Sequence, residues 1–276
     1  MAEIGHSEKL SVNCFCIFDS FAVYIFLSAG MLQKGSRFYL LLIFCLMVCA
    51  SFGQPDDTIR TLEKSLTEKL PDTVRLNTLI RLSELCMTNK KMANKSEVYI
   101  NKAFELASEK KLVVPYKLRW LHARVLQTLE MHKKAVAEME MVIKYLDEQK
   151  NYQEAAEARN YLANILFFSG QFNESIESYL QNANLARERK LKKVIPEAYL
   201  GIANVYGQTQ NNAEREKFLQ LFLDAGKSEN NPALTAQASF RIGVHKMSVD
   251  SNLKTAIPFL HDALSIQKSS TILSQH

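Results

Sequence analysis

A small residue returns every forty positions, each time in the middle of an apolar helix, and this interval constrains the fold more than any other feature. The four small residues are Ala123, Ala163, Ala203 and Gly243. Large residues recur at the same interval in the following helices: Met139, Tyr179, Leu219 and Leu260. Leu260 comes one residue later than the interval predicts. One helical hairpin cannot bury its own apolar face, whereas a stack of hairpins can. We therefore predict an all-α solenoid of antiparallel helix pairs.

The stretch Tyr161–Ala186 shows the repeating unit most clearly. Apolar residues recur at helical spacing on both sides of Ser169, Gly170 and Gln171. Gly170 supplies the left-handed backbone that ends a helix. We predict two amphipathic helices hinged at these three residues, and we find no strand alternation from Asp72 onwards.

These residues resemble the tetratricopeptide repeat family. Residues 156–186 match its pattern best, through Leu162, Ala163, Leu166, Gly170, Phe172, Ser175 and Tyr179. The interval of forty exceeds the usual one of about 34, which indicates longer helices or connections. The resemblance covers Asp72–Gln267 and implies a right-handed superhelix. We place a leading helix at 54–71, the repeat domain at 72–268 and a tail at 269–276.

The N-terminal region predicts export. Phe38–Phe52 is apolar, follows Lys34 and Arg37, and precedes small residues. This order is typical of a secretory signal peptide, which we place at 31–53. Residues 1–30 would then be an upstream extension that is not translated. An uncleaved membrane anchor through 38–52 is the alternative. Either interpretation predicts a periplasmic or cell-envelope protein.

The order of segments also resembles the sensor regions of bacterial two-component and transcriptional regulators. In such proteins an export signal precedes lengthened repeats, and a kinase or DNA-binding module follows. This chain ends at His276 shortly after a second helix. The sensor portion of a truncated regulator is therefore the alternative to a stand-alone scaffold.

The sequence does not predict an enzyme. It contains no phosphate-binding glycine loop, no nucleophile elbow and no CxxC, and no two histidines have zinc-ligand spacing. We expect no cofactor and no metal. The net charge of +5 is spread along the helices without a long basic tract, so we expect no nucleic-acid partner.

What remains is a binding surface for a protein or peptide. In the resembled family the first helix of each pair lines the concave side of the superhelix. That implies a groove formed by Trp120, Arg124, Asn160, Asn164, Phe167, Asn204, Gln208 and Arg241. Asn164 and Asn204 occupy the same repeat position. Their amides could bind an extended peptide backbone, or they could bond to neighbouring helices.

Two further expectations concern a carboxylate ligand and self-association. Some members of the resembled family bind a terminal carboxylate through a clamp of Lys, Asn and Arg. Only Asn164 and Arg241 match that pattern here, so we do not predict carboxylate binding. We also expect self-association through the outer face of the last hairpin, near Ile257, Leu260 and Leu264.

Overall fold

The computed structural model describes residues 54–249 and 253–273. The chain divides into two compact units, Met1–Thr61 and Leu62–His276. Only 54–61 of the first unit are described, and they begin helix α1 (Gln54–Ser65). The predicted extension at 1–30 and export segment at 31–53 lie outside the described residues. Across the residues that are described, no helix is both long enough and apolar enough to cross a membrane.

The second unit consists of helices. Ten follow α1 in the described ranges, and no strand occurs in those ranges. They are α2 (Asp72–Cys86), α3 (Ala93–Glu109), α4 (Tyr116–Thr128), α5 (His132–Glu148), α6 (Tyr152–Phe168), α7 (Phe172–Glu188), α8 (Ile195–Gln208), α9 (Asn212–Ser228), α10 (Pro232–Val249) and α11 (Ile257–Leu273). Short 3₁₀ turns at Lys90–Met92, Lys192–Val194 and Leu253–Thr255 precede α3, α8 and α11.

From α2 onwards, each helix packs against the next one along the chain. The helix pairs α2–α3, α4–α5, α6–α7, α8–α9 and α10–α11 are stacked, because α5 also packs on α6, α7 on α8, and α9 on α10. The first helices α6 and α8 contact each other directly. This arrangement confirms the predicted solenoid, in which each pair buries its apolar faces against its neighbours.

A left-handed residue follows the ends of most helices. Gly170 has a φ of 79° between α6 and α7, as the hinge prediction requires. Six residues with side chains adopt the same conformation at intervals close to twenty: Lys111, Glu130, Lys150, Lys190, Gln210 and Asn230. The left-handed backbone lets the last turn close, as when the Gln171 amide donates to the Leu166 carbonyl at 3.0 Å.

The small and large residues of the repeat interlock as predicted. Ala163 is fully buried, and its carbonyl accepts a 2.8 Å hydrogen bond from the Ser175 hydroxyl, so α6 and α7 lie very close. A Cβ added to Gly243 would fall 2.6 Å from Cδ2 of Leu260, so only glycine leaves room for that leucine. In these two copies the small residue thus lets the two helices of the pair approach closely.

The outer face of the last hairpin differs from the prediction at one position. Leu260 is partly buried because it fills the space beside Gly243, and it does not belong to the outer face. Ile257 and Leu264 do, with 58% and 57% of their surface exposed.

Candidate functional site

An open hollow of about 450 Å³ lies where the first helices α4, α6 and α8 come together. We call it the first-helix hollow. Its lining residues are Trp120, Glu157, Asn160, Tyr161, Asn164, Tyr179, Glu197, Leu200, Gly201 and Asn204. Five pairs among them are separated by forty residues, so the hollow is built from the same positions of successive repeats.

Half of the predicted groove residues line this hollow. They are Trp120, Asn160, Asn164 and Asn204. The other four predicted residues are not part of its wall: Arg124, Phe167, Gln208 and Arg241.

The Asn160 amide is committed to neighbouring segments. Its Nδ2 donates to the Val194 carbonyl at 3.0 Å, and its Oδ1 accepts from Nδ2 of Asn182 at 2.7 Å. Asn182 also donates to the Ala156 carbonyl at 2.8 Å. Because Asn160 is only 4% exposed, these bonds satisfy it inside the protein. Asn160 lines the hollow, but its amide is bonded within the protein and is not available to a ligand.

Asn164 and Asn204 are in a different situation. Neither side chain hydrogen-bonds to another described residue, and both line the hollow. Asn164 is half-buried and Asn204 is exposed. An unpaired amide offers a donor and an acceptor that match the N–H and C=O of a peptide backbone. These two amides are therefore available to a ligand.

Aromatic rings form a second part of the wall. The rings of Trp120 and Tyr161 lie 6.3 Å apart, and the Tyr161 hydroxyl donates to Oε1 of Gln127. Burial raises the pKa of Tyr161 to about 12, although the charge of Arg124 opposes this shift. Tyr161 is therefore neutral at physiological pH. It contributes to the wall as an uncharged ring.

Gly201 fixes the position of another ring. A Cβ at this residue would fall 2.2 Å from Cζ of Tyr179, so the phenol ring lies directly against the backbone of α8. Burial raises the pKa of Tyr179, and the nearby negative charge of Glu197 adds to that effect. Tyr179 is thus a neutral, tightly packed part of the wall.

Two carboxylates complete the hollow. Burial raises the pKa of Glu197, a hydrogen bond from Asn160 lowers it, and the negative charge of Glu157 raises it further. Glu157 accepts a 2.8 Å hydrogen bond from Nε2 of Gln153. No Lys, Arg or His lines the hollow, and within the described ranges no basic nitrogen lies within 4.0 Å of either carboxylate.

Sequence reasoning missed these carboxylates. Glu157 alone has the pattern of an ordinary solvated helix position. The signal that would have found the pair is the repeat interval, because Glu157 and Glu197 are separated by forty residues, like Asn164 and Asn204.

The remaining predicted residues have other surroundings. Phe167 contacts the rings of Phe168 and Phe172, at centroid distances of 5.2 and 5.9 Å, beside the α6–α7 turn. Arg241 is exposed on α10. Burial lowers the pKa of Arg215, and the positive charge of Arg241 lowers it further.

Arg124 lies near Tyr161, and its positive charge partly offsets the rise in the pKa of that tyrosine. Gln208 is exposed at the end of α8. In the described part of the chain, no group of three or more His, Cys, Asp or Glu residues could hold a metal ion.

Comparison with known proteins detects similarity at the level of structure only. No family model matches the chain, and no curated protein matches it. Among solved structures, BtubC (BKLC) from P. vanneervenii superimposes with a TM-score of 0.59 at 15% identity, covering 79% of this chain and 92% of BtubC. A signal transduction ATPase with a tetratricopeptide repeat sensor, from Pyrococcus horikoshii, gives 0.60 at 14% identity. The match covers 82% of this chain but 35% of that ATPase.

A further similar structure is that of NprR in complex with its cognate peptide NprX. Its TM-score is 0.57 at 13% identity, covering 93% of this chain and 74% of NprR. Identities this low establish the fold alone. Together with the stacked helix pairs and the interlocked repeat positions, they show that the chain has the fold of tetratricopeptide-like repeat proteins.

Proposed function

We propose that this chain is a non-catalytic repeat protein that binds an extended segment of another protein or peptide in the first-helix hollow. The observation that supports this most directly is the pair Asn164 and Asn204. These amides recur at one repeat position, have no partner among the described residues, and line the same hollow as Trp120. An extended peptide presents backbone groups at regular intervals, so evenly repeated amides suit such a ligand.

Similar proteins provide independent support. NprR has been solved with its cognate peptide NprX, and a Rap protein has been solved with competence and sporulation factor. The Rap structure gives a TM-score of 0.58 at 12% identity. The same fold holds a peptide or factor in those two structures, which supports the same role here.

The test compares affinity capture by the full chain with capture by a paired variant, Asn164→Ala with Asn204→Ala. We expect the paired variant to lose its captured partner while its far-UV circular dichroism remains unchanged. A matched control changes two exposed amides on α3, Asn94→Ala with Asn101→Ala, and should keep full capture. If the hollow variant captures as well as the control, these amides do not contact the partner.

Export is part of the same proposal. The apolar segment at 31–53, either as a cleaved signal or as an anchor through 38–52, would place the repeats in the periplasm or cell envelope. N-terminal sequencing of the protein from the envelope fraction tests this. A start near Gln54 supports cleavage, and recovery of the whole protein in the cytoplasmic fraction would contradict export.

A second candidate function is the sensing portion of a two-component or transcriptional regulator. It is favoured by the likeness to an ATPase that carries a tetratricopeptide repeat sensor. Reading the gene beyond His276 distinguishes the two. A kinase or DNA-binding module there would support the regulator, and a stop codon would support the stand-alone scaffold.

Self-association is the final element of the proposal. The exposed Ile257 and Leu264 on α11 form an apolar surface that a second copy could cover. This surface is separate from the first-helix hollow, so pairing would leave peptide binding intact.

A further inference from the structure

The charge of the first-helix hollow is opposite to that of the chain. The whole chain has a formal charge of +5, yet the only charged residues in the wall are Glu157 and Glu197. A ligand that enters the hollow therefore meets negative charge. This feature distinguishes the hollow from a site for a terminal carboxylate or a phosphate, each of which would need basic groups.

The two carboxylates line the same hollow and share its negative charge. Burial raises the pKa of Glu197, the Asn160 amide lowers it, and the negative charge of Glu157 raises it further. Glu157 receives its bond from the neutral Gln153, so neither acid is neutralised by a cation from the described part of the chain. A bound cation would offset this negative charge, because an opposite charge stabilises both carboxylates at once.

The rings beside the carboxylates are suited to the same ligand. Tyr161 uses its hydroxyl to bond Gln127, and Tyr179 is fixed against Gly201, so both are uncharged rings in the wall. Trp120 provides the largest ring, 6.3 Å from Tyr161. Aromatic faces attract Lys and Arg side chains through the ring quadrupole, most strongly at tryptophan.

The amides then determine how the cation is presented. Asn164 and Asn204 line the hollow together with Glu157 and Glu197 and have no partner among the described residues. They can hold a peptide backbone while the carboxylates and rings surround one of its side chains. An isolated small cation would leave these amides unused.

Building on the proposed function, we propose that the first-helix hollow selects a basic side chain, Lys or Arg, within the bound peptide. Glu157 and Glu197 provide the charge complementarity, and Trp120 and Tyr161 provide the aromatic surface. Asn164 and Asn204 hold the backbone on either side.

The experiment uses the full chain and two fluorescein-labelled nonapeptide libraries with acetylated and amidated ends. One library has Lys at its central position and the other has Glu, with all other positions randomised. By fluorescence polarisation we expect the Lys library to bind about tenfold more tightly, and its advantage to shrink as salt rises. Glu157→Gln and Glu197→Gln should each reduce that preference about fivefold.

A matched variant, Glu105→Gln on the exposed surface of α3, should leave the preference unchanged. Equal binding of the two libraries, or a preference for Lys that survives Glu157→Gln with Glu197→Gln, would overturn this inference while peptide binding stands. Binding of neither library would overturn the proposed function as well. The isosteric Gln changes keep the side-chain volume, so circular dichroism should report a folded protein in every case.

Discussion

Replacement of Gly201 by alanine tests how tightly the repeats interlock. The new Cβ would lie 2.2 Å from Cζ of Tyr179 and 2.6 Å from both Cε atoms. Ordinary contact begins at 3.4 Å, so the ring must move by about 1.2 Å. Tyr179 is 2% exposed and is packed among buried residues such as Ala163 and Ile202, so a shift of the ring disturbs these contacts.

The free energy of this change can be bounded. Overpacking of this kind costs about 1–3 kcal/mol, whereas alanine improves helix propensity over glycine by about 1 kcal/mol. Because the nearest atoms belong to a rigid, enclosed ring, we expect the upper part of that range. The net prediction is a loss of about 1–2 kcal/mol in the free energy of unfolding.

The same helix offers a matched control. At Gly207 the added Cβ would lie 3.1 Å from the guanidinium of Arg215, the flexible end of a long side chain that can move aside. Gly207→Ala should therefore stabilise the protein by about 0.5 kcal/mol. The two substitutions are chemically identical and should shift the urea midpoint, followed by far-UV circular dichroism, in opposite directions.

A third variant identifies the cause. Tyr179→Leu removes the ring, and in that background Gly201→Ala should no longer destabilise, giving a coupling of about 1 kcal/mol or more. If Gly201→Ala shifts the urea midpoint in the same direction and by the same amount as Gly207→Ala, the Tyr179 ring does not require glycine at position 201. The interlocking account would then be wrong.

Three further predictions follow from other parts of the chain. Gln210 has a φ of 59°, so Gln210→Gly should raise the free energy of unfolding, measured by urea titration, by about 1 kcal/mol. Asn230→Gly should raise it less, because asparagine tolerates a left-handed backbone better than glutamine does. Because the pKa of Glu197 is raised in the folded state, its ionisation opposes folding: Glu197→Gln should stabilise at pH 7, and the gain should vanish below the ordinary pKa of glutamate. A gain that persists at acid pH would exclude this cause. Finally, sedimentation of Ile257→Lys with Leu264→Lys should give a monomer where the parent chain associates, and a parent that stays monomeric at high concentration would contradict pairing through α11.

The sequence allowed most of the architecture to be predicted because that architecture depends on local periodicity. Helical spacing located the hinge at Gly170, and the forty-residue interval placed Ala163 and Ala203 at buried positions. Phe218 and Phe222, one turn apart on α9, are buried as well. These features depend on which residue types recur, and the sequence shows that directly.

The roles of individual polar residues could not be predicted in the same way. Asn160 and Asn164 are separated by one turn of α6, yet Asn160 bonds to Val194 and Asn182 whereas Asn164 has no partner among the described residues. The difference depends on where the 3₁₀ turn before α8 lies, and periodicity does not encode that position.

His122 gives a second example. It occupies a place where the resembled family has leucine, and the structure accommodates it because Glu138 on α5 contacts its Nδ1 at 3.1 Å. Arg119 contacts the same carboxylate at 3.0 Å. Burial would raise the pKa of Glu138, but the hydrogen bonds from His122 and Arg119 outweigh burial and lower it. A polar contact between two helices thus replaces an apolar one.

The emission of Trp120 tests the central claim most directly, because this residue is the only tryptophan in the chain and it lines the first-helix hollow. The full chain would be titrated with the unlabelled Lys-centred peptide library, synthesised without tryptophan, while the acrylamide quenching of Trp120 is measured. We predict that saturating peptide shifts the emission and protects Trp120 from acrylamide, and that Asn164→Ala with Asn204→Ala removes both effects. Peptide binding with unchanged emission and unchanged quenching would show that the ligand occupies another surface.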